Sequence, residues 1–136
     1  MKATALLIAI VLISGCATTP ISSEQADPVP GDRQVRYRSP APNTVPITIT
    51  RDSGFISAAC ATKVFVNGEL AAYVRAGERV TLNIPAGEVI IGAQPDGICA
   101  GGLVETQAIL QPARHIQFRI GYDHNGSIGL YRTVAR

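Results

Sequence analysis

The chain has 136 residues, 12 lysines and arginines against 10 acids, and no tryptophan. A near-neutral balance with few aromatics excludes a surface built to hold nucleic acid and leaves little material for stacking platforms or sugar clefts. The length supports one small domain around one core.

Lys2 is followed by an uninterrupted apolar run from Ala5 to Ile13, and then by Ser14-Gly15-Cys16. One positive charge, a short apolar stretch and small residues before a cut are the parts of a secretory signal. The run is shorter than the roughly 20 residues a membrane-spanning helix needs. It also lacks the polar residues at helical spacing that a buried amphipathic helix would show. Leu12-Ile13-Ser14-Gly15-Cys16 resembles the lipobox of bacterial lipoproteins. That resemblance implies removal of residues 1–15 and acylation of Cys16. Each buried methylene adds about 0.8 kcal/mol, so several acyl chains anchor firmly where one alone is marginal. Ala17, rather than an aspartate, follows the cysteine. In that family this implies delivery to the outer membrane, and the expected location is lipid-anchored there, facing the periplasm. With Lys2 gone, 11 basic residues stand against 10 acids.

Residues 16–44 are expected to form a tether. Six of the nine prolines fall between Pro20 and Pro46, spaced by Ser, Thr, Asp and Gly. Such a composition buries too little apolar surface to offset its ordering entropy, and proline extends it. Within it, Arg33-Gln34-Val35-Arg36-Tyr37-Arg38 is a basic and aromatic cluster. The favoured reading is a solvated linker; contact with anionic lipid, or packing along the domain as a loose strand, is the alternative.

From Val45 the pattern changes to short alternating segments. Val45, Ile47 and Ile49 alternate with Pro46, Thr48 and Thr50, as in a half-buried strand whose proline lies near its start or a sheet edge. Asp52-Ser53-Gly54-Phe55 turns the chain, and a small-residue loop runs to Ala61. Thr62 to Val66 is a strand rich in β-branched residues. Asn67-Gly68 follows, a strong hairpin signal because both central positions of a type I′ turn need positive φ. Leu70 to Arg75 returns, Arg79 to Ile84 alternates again, and Pro85-Ala86-Gly87 turns. Glu88 to Gln94 carries Val89-Ile90-Ile91, a run expected of a central strand buried on both faces. Gly97 to Gly102 is a glycine-rich loop. Leu103 to Gln111 and Arg114 to Tyr122 are expected to be the longest strands, joined at Pro112-Ala113. The second turns Ile116, Phe118, Ile120 and Tyr122 inward and His115, Gln117 and Arg119 outward. Asp123-His124-Asn125-Gly126 is another turn, and Ser127 to Thr133 is the last strand. Seven or eight short strands with regular turns and no helix predict an all-β fold, a small antiparallel β-sandwich over residues 45–136.

Thr62-Lys63-Val64-Phe65-Val66-Asn67-Gly68-Glu69, followed by Val80-Thr81-Leu82-Asn83-Ile84-Pro85-Ala86-Gly87-Glu88-Val89-Ile90-Ile91, resembles a PEGA-type domain. The resemblance covers about Thr62 to Gly97. It implies a small β-sandwich of envelope proteins and transfers no catalytic residues.

Once Cys16 is assigned to lipid, Cys60 and Cys99 remain, and an oxidising compartment favours a disulfide between them. A metal site built from Cys60, Cys99, His115 and His124 is the weaker alternative, because the spacings match no zinc pattern. No cofactor is expected. The bridge would bring Gly97, Ile98, Gly101 and Gly102 beside Asp52 and Phe55, and these six residues are the candidate binding loop. Phe55 is expected to pack into the core. His115 reads as an exposed strand residue and His124 as a turn residue, so no catalytic group is assigned. Arg51, Arg75, Arg79, Arg114, Arg119 and Arg132 are expected at strand ends or outward positions. The expectation is a non-enzymatic envelope module, anchored to the membrane at Cys16, whose partner is an envelope protein or peptidoglycan and not nucleic acid. The alternative is a ligand-binding or hydrolase-inhibitor protein that uses the Cys99 loop.

Overall fold

A computed structural model describes residues 18–134. The expected signal segment, residues 1–15, and Cys16 lie outside the described residues. The strands are β1 (Asp27–Pro28), β2 (Thr44–Arg51), β3 (Thr62–Val66), β4 (Glu69–Val74), β5 (Glu78–Pro85), β6 (Gly87–Pro95), β7 (Val104–Leu110), β8 (Ile116–Tyr122) and β9 (Ile128–Thr133). They form two sheets, ordered β1-β5-β2-β8-β9 and β4-β3-β6-β7. The fold is the expected small β-sandwich, with mostly antiparallel pairing. Two parallel pairs, β1 with β5 and β2 with β8, make the first sheet mixed.

Period-two alternation builds the core. Ile47, Ile49, Leu82, Phe118 and Ile120 from the first sheet meet Val64, Val66, Val74, Ile91 and Leu110 from the second, all buried. The β3–β4 turn takes the expected form: Asn67 and Gly68 both have positive φ, 49° and 81°. The Asn67 side-chain oxygen also accepts from the Ile90 amide at 2.9 Å, tying the turn to β6. Pro46 stands opposite Asn83 of β5, whose amide turns away to the Tyr37 carbonyl, and it precedes the start of pairing with β8 at Ile47, so its missing N–H costs little.

The connection at residues 111–115 joins β7 and β8, which belong to different sheets, and so carries the chain across the sandwich. Three sequence expectations are corrected. β6 is a central strand, as expected, but only one of its faces is buried. Ile90 points outward and is exposed, because among the described residues nothing covers the outer face of the four-stranded sheet there. β6 is also the longest strand, with nine residues against seven in each of β7 and β8.

The third correction concerns the tether. Residues 18–43 do not stand free; they form a strap along the sandwich. Thr19 bridges Ser53, β1 pairs with the edge strand β5, and Gln34 bridges Ala72 in β4. The Val35 and Arg36 amides donate to the Ala71 carbonyl at 2.7 and 3.1 Å. Arg33 grips Glu78 with both guanidinium nitrogens, at 2.7 and 2.5 Å. The physical reason is edge protection. β5 and β4 are the edges of the two sheets on one side of the sandwich, and the strap covers both. The folded unit therefore includes residues 18–43 and not only the chain from residue 45.

Candidate functional site

Four connections meet at one end of the sandwich: residues 52–61, 75–77, 96–103 and 123–127. Cys60 and Cys99 are bridged there, with their Cα atoms 6.1 Å apart. The bridge joins the β2–β3 loop to the β6–β7 loop and so closes the end, as the cysteine count predicts.

Beneath the bridge lies a residue that the sequence reading placed at a strand end without assigning it a role. Arg51 is fully buried. One terminal nitrogen donates to the carbonyls of Cys60 (2.6 Å) and Val74 (3.1 Å), and the other to that of Ser57 (2.7 Å). Its guanidinium lies over the Tyr122 ring, 4.9 Å from the centroid. The Tyr122 hydroxyl in turn shares a 2.7 Å hydrogen bond with Thr62. No carboxylate pairs with Arg51 among the described residues, and burial lowers its pKa from the usual guanidinium value. A planar fork with several donors suits this place better than a lysine would, since three carbonyls must be met at once. A signal was available in the sequence: an arginine closing a strand whose alternate residues are apolar.

Asp52, adjacent in sequence, is buried as well. Its carboxylate faces Arg119 at 3.4 Å and accepts from the Thr18 hydroxyl at 3.4 Å. Burial pushes its pKa above the ordinary aspartate value, against the pull of Arg119 and Thr18. Asp52 is therefore an interior anchor for the start of the strap, not part of an exposed loop surface. Thr18 completes the junction: its amide donates to the Tyr122 carbonyl, and its hydroxyl accepts from the Tyr122 amide at 2.9 Å.

Phe55 departs from expectation. It is not in the core; it is 98% exposed. With Arg51 drawing the Ser57 and Cys60 carbonyls inward, the residues before them arch outward and Phe55 caps the arch. Ile98, on the partner loop next to the bridged Cys99, is 99% exposed. Gly97 lies beside the Cys60 sulfur. Gly101 packs tightly on Pro95, where an added Cβ would come within 2.8 Å of the ring, and its φ of +134° suits glycine alone. Gly102 is exposed. Of the six candidate residues, Phe55, Ile98 and the glycines thus share the surface of this end, while Asp52 lies beneath it.

His115 and His124 flank opposite ends of β8, about 30 Å apart along an extended chain. His115 meets the Thr48 hydroxyl at 3.3 Å, and both histidines are exposed. Among the described residues, no three of His, Cys, Asp and Glu gather closely enough to hold a metal ion. A separate open cleft of about 530 Å³ runs between Pro20–Ser23 of the strap and Arg119, Tyr131 and Arg132 on β8 and β9. No protein-family model matches the chain, and neither a curated protein nor a solved structure matches it.

Proposed function

We propose that the protein is a lipid-anchored module of the bacterial envelope, acylated at Cys16, held at the outer membrane on its periplasmic side, and acting by interaction rather than by catalysis. The observation that carries this reading is the motif Leu12-Ile13-Ser14-Gly15-Cys16 directly ahead of a domain that is already ordered at Thr18. A sandwich of this kind, with a disulfide suited to an oxidising compartment, fits an envelope location. The PEGA-type pattern in β3 to β6 agrees with it. An envelope protein or peptidoglycan is the partner class such a module would hold. A second reading, a binding or inhibitory protein that inserts a loop into its target, is favoured by the protrusion of Ile98 from a loop fixed by the bridge.

The test is the fate of Cys16. The wild-type protein is expected in the membrane fraction, with a tryptic N-terminal peptide beginning at an acylated Cys16 by mass spectrometry. Cys16→Ser is expected in the soluble periplasmic fraction or as uncut precursor. An unmodified Cys16 in a membrane-bound protein would contradict the reading.

A further inference from the structure

We propose that the disulfide-stapled end of the sandwich lies on the lipid surface, with Phe55 and Ile98 set into the headgroup region beside the anchor. This rests on the reading of Cys16 as acylated and adds to it an orientation. One residue, Ala17, separates Cys16 from Thr18, a span of at most about 7 Å. Thr18 is not free to move away from the stapled end. It is bonded to Tyr122 through its amide and hydroxyl, and Thr19 is bridged to Ser53. A Cβ placed on Gly54 would stand 3.3 Å from the Thr18 Cα, so the anchored start of the strap touches the residue before Phe55. An acyl chain on Cys16 therefore brings the bilayer to this end and to no other.

The chemistry of the end suits that neighbour. Isolated exposed apolar residues are ordinary on a protein surface. Here two large ones are almost wholly exposed, each on a loop fixed by the bridge, and one loop is fixed also by Arg51. Apolar side chains at such a place settle about 5–10 Å into the headgroup and acyl boundary. The acids nearby are occupied: Asp52 with Arg119 and Thr18, Asp96 with Lys63 at 3.6 Å, and Asp123 with the Asn125 and Ser127 amides. Arg75 is exposed and lines the same shallow cleft as Ile98, where it can meet a lipid phosphate. The opposite end shows instead the polar turn Asn67-Gly68 and the exposed residues 111–115.

The chain has no tryptophan, so each substitution introduces a single reporter. Phe55→Trp, Ile98→Trp and, as a remote exposed control, Ile109→Trp are made in the full chain and purified from membranes. Each is reconstituted in phosphatidylethanolamine–phosphatidylglycerol vesicles, with and without brominated acyl chains. The expected result is a blue-shifted emission at positions 55 and 98 and quenching there several-fold stronger than at 109. Equal quenching at all three positions overturns the orientation. A blue shift without quenching also overturns it and assigns the two residues to a protein contact. The mass of the N-terminal peptide is read from the same samples. Acylated protein without quenching defeats the orientation alone, whereas an unacylated Cys16 defeats the anchor reading and the orientation with it.

Discussion

Arg33→Ala should loosen the strap and lower the stability of the whole sandwich. Arg33 donates three hydrogen bonds, two to the Glu78 carboxylate and one at 3.3 Å to the Tyr73 carbonyl, so one side chain ties the strap to both sheets. The pair is largely shielded, with side-chain exposures of 17% and 14%. An exposed ion pair contributes up to about 1 kcal/mol and breaking a buried one costs about 3–5, so a loss of ~2 kcal/mol is expected here. Part of that loss is the cost of leaving Glu78 with only the Arg75 amide as a partner. In urea unfolding followed by circular dichroism, the midpoint should fall by roughly 1 M with little change in slope. A double-mutant cycle with Glu78→Gln should give a coupling on the order of 1 kcal/mol or more. A midpoint unchanged by Arg33→Ala, together with zero coupling, would mean that the strap contributes nothing and would refute this reasoning.

Removing the bridge by Cys60→Ser with Cys99→Ser reopens a loop of 39 residues and should cost about 4 kcal/mol on the chain-entropy account. In calorimetry this is a fall in Tm on the order of 15 °C, and a drop of only a few degrees would contradict it. Arg51→Met, which keeps the bulk but strands two loop carbonyls and one at the end of β4, should cost about 3 kcal/mol; equilibrium unfolding with no loss of stability would remove Arg51 as the organiser of the end. Glu78 and Asp52 should show opposite pH dependence. Burial acts to raise the Glu78 pKa, but the Arg33 fork and the Arg75 amide outweigh it and hold the value low. Its stabilisation is therefore present above the unfolded glutamate pKa of about 4.3 and is lost as pH falls through the folded value. The Asp52 pKa is raised, so its contribution is full below the unfolded value of about 3.9 and is lost as pH rises through the folded one. Urea midpoints across pH should thus move in favour of Asp52→Asn as pH rises and in favour of Glu78→Gln as pH falls; parallel profiles for both variants and wild type would contradict the assignments.

Much of the sandwich was legible from side-chain alternation. β2 to β9 fall within one or two residues of their expected limits, and the inward set Ile116, Phe118, Ile120 and Tyr122 is buried as read. Asn67-Gly68 and the Cys60–Cys99 bridge are encoded locally or by count. What escaped depends on distant partners. The strap has the composition of a linker, and its order comes from backbone pairing with two sheet edges and from two ion pairs, Arg33–Glu78 and Arg36–Glu69, between residues distant in sequence, which composition does not reveal. The Val89-Ile90-Ile91 run signals a doubly buried strand only if something covers the outer face, and among the described residues nothing does at Ile90. Phe55 looked like core because it is aromatic, but the core position at the end of β2 belongs to Arg51, whose demand for carbonyls pushes Phe55 outward. The bridge brings Phe55, Ile98 and the glycines to one end, while Asp52 lies beneath it because its burial depends on Arg119 and Thr18, 67 residues after it and 34 before.

Amide hydrogen exchange tests the central claim that residues 18–43 belong to the domain and hold the proposed anchor site at its stapled end. The amides of Thr18, Thr19, Asp27, Val29 and Val35 donate to Tyr122, Ser53, Gly77, Arg79 and Ala71. They should be protected together and lose protection together in Arg33→Ala. Exchange at unfolded-chain rates across this segment, beside a protected sandwich, would return it to a free tether and separate the stapled end from the membrane.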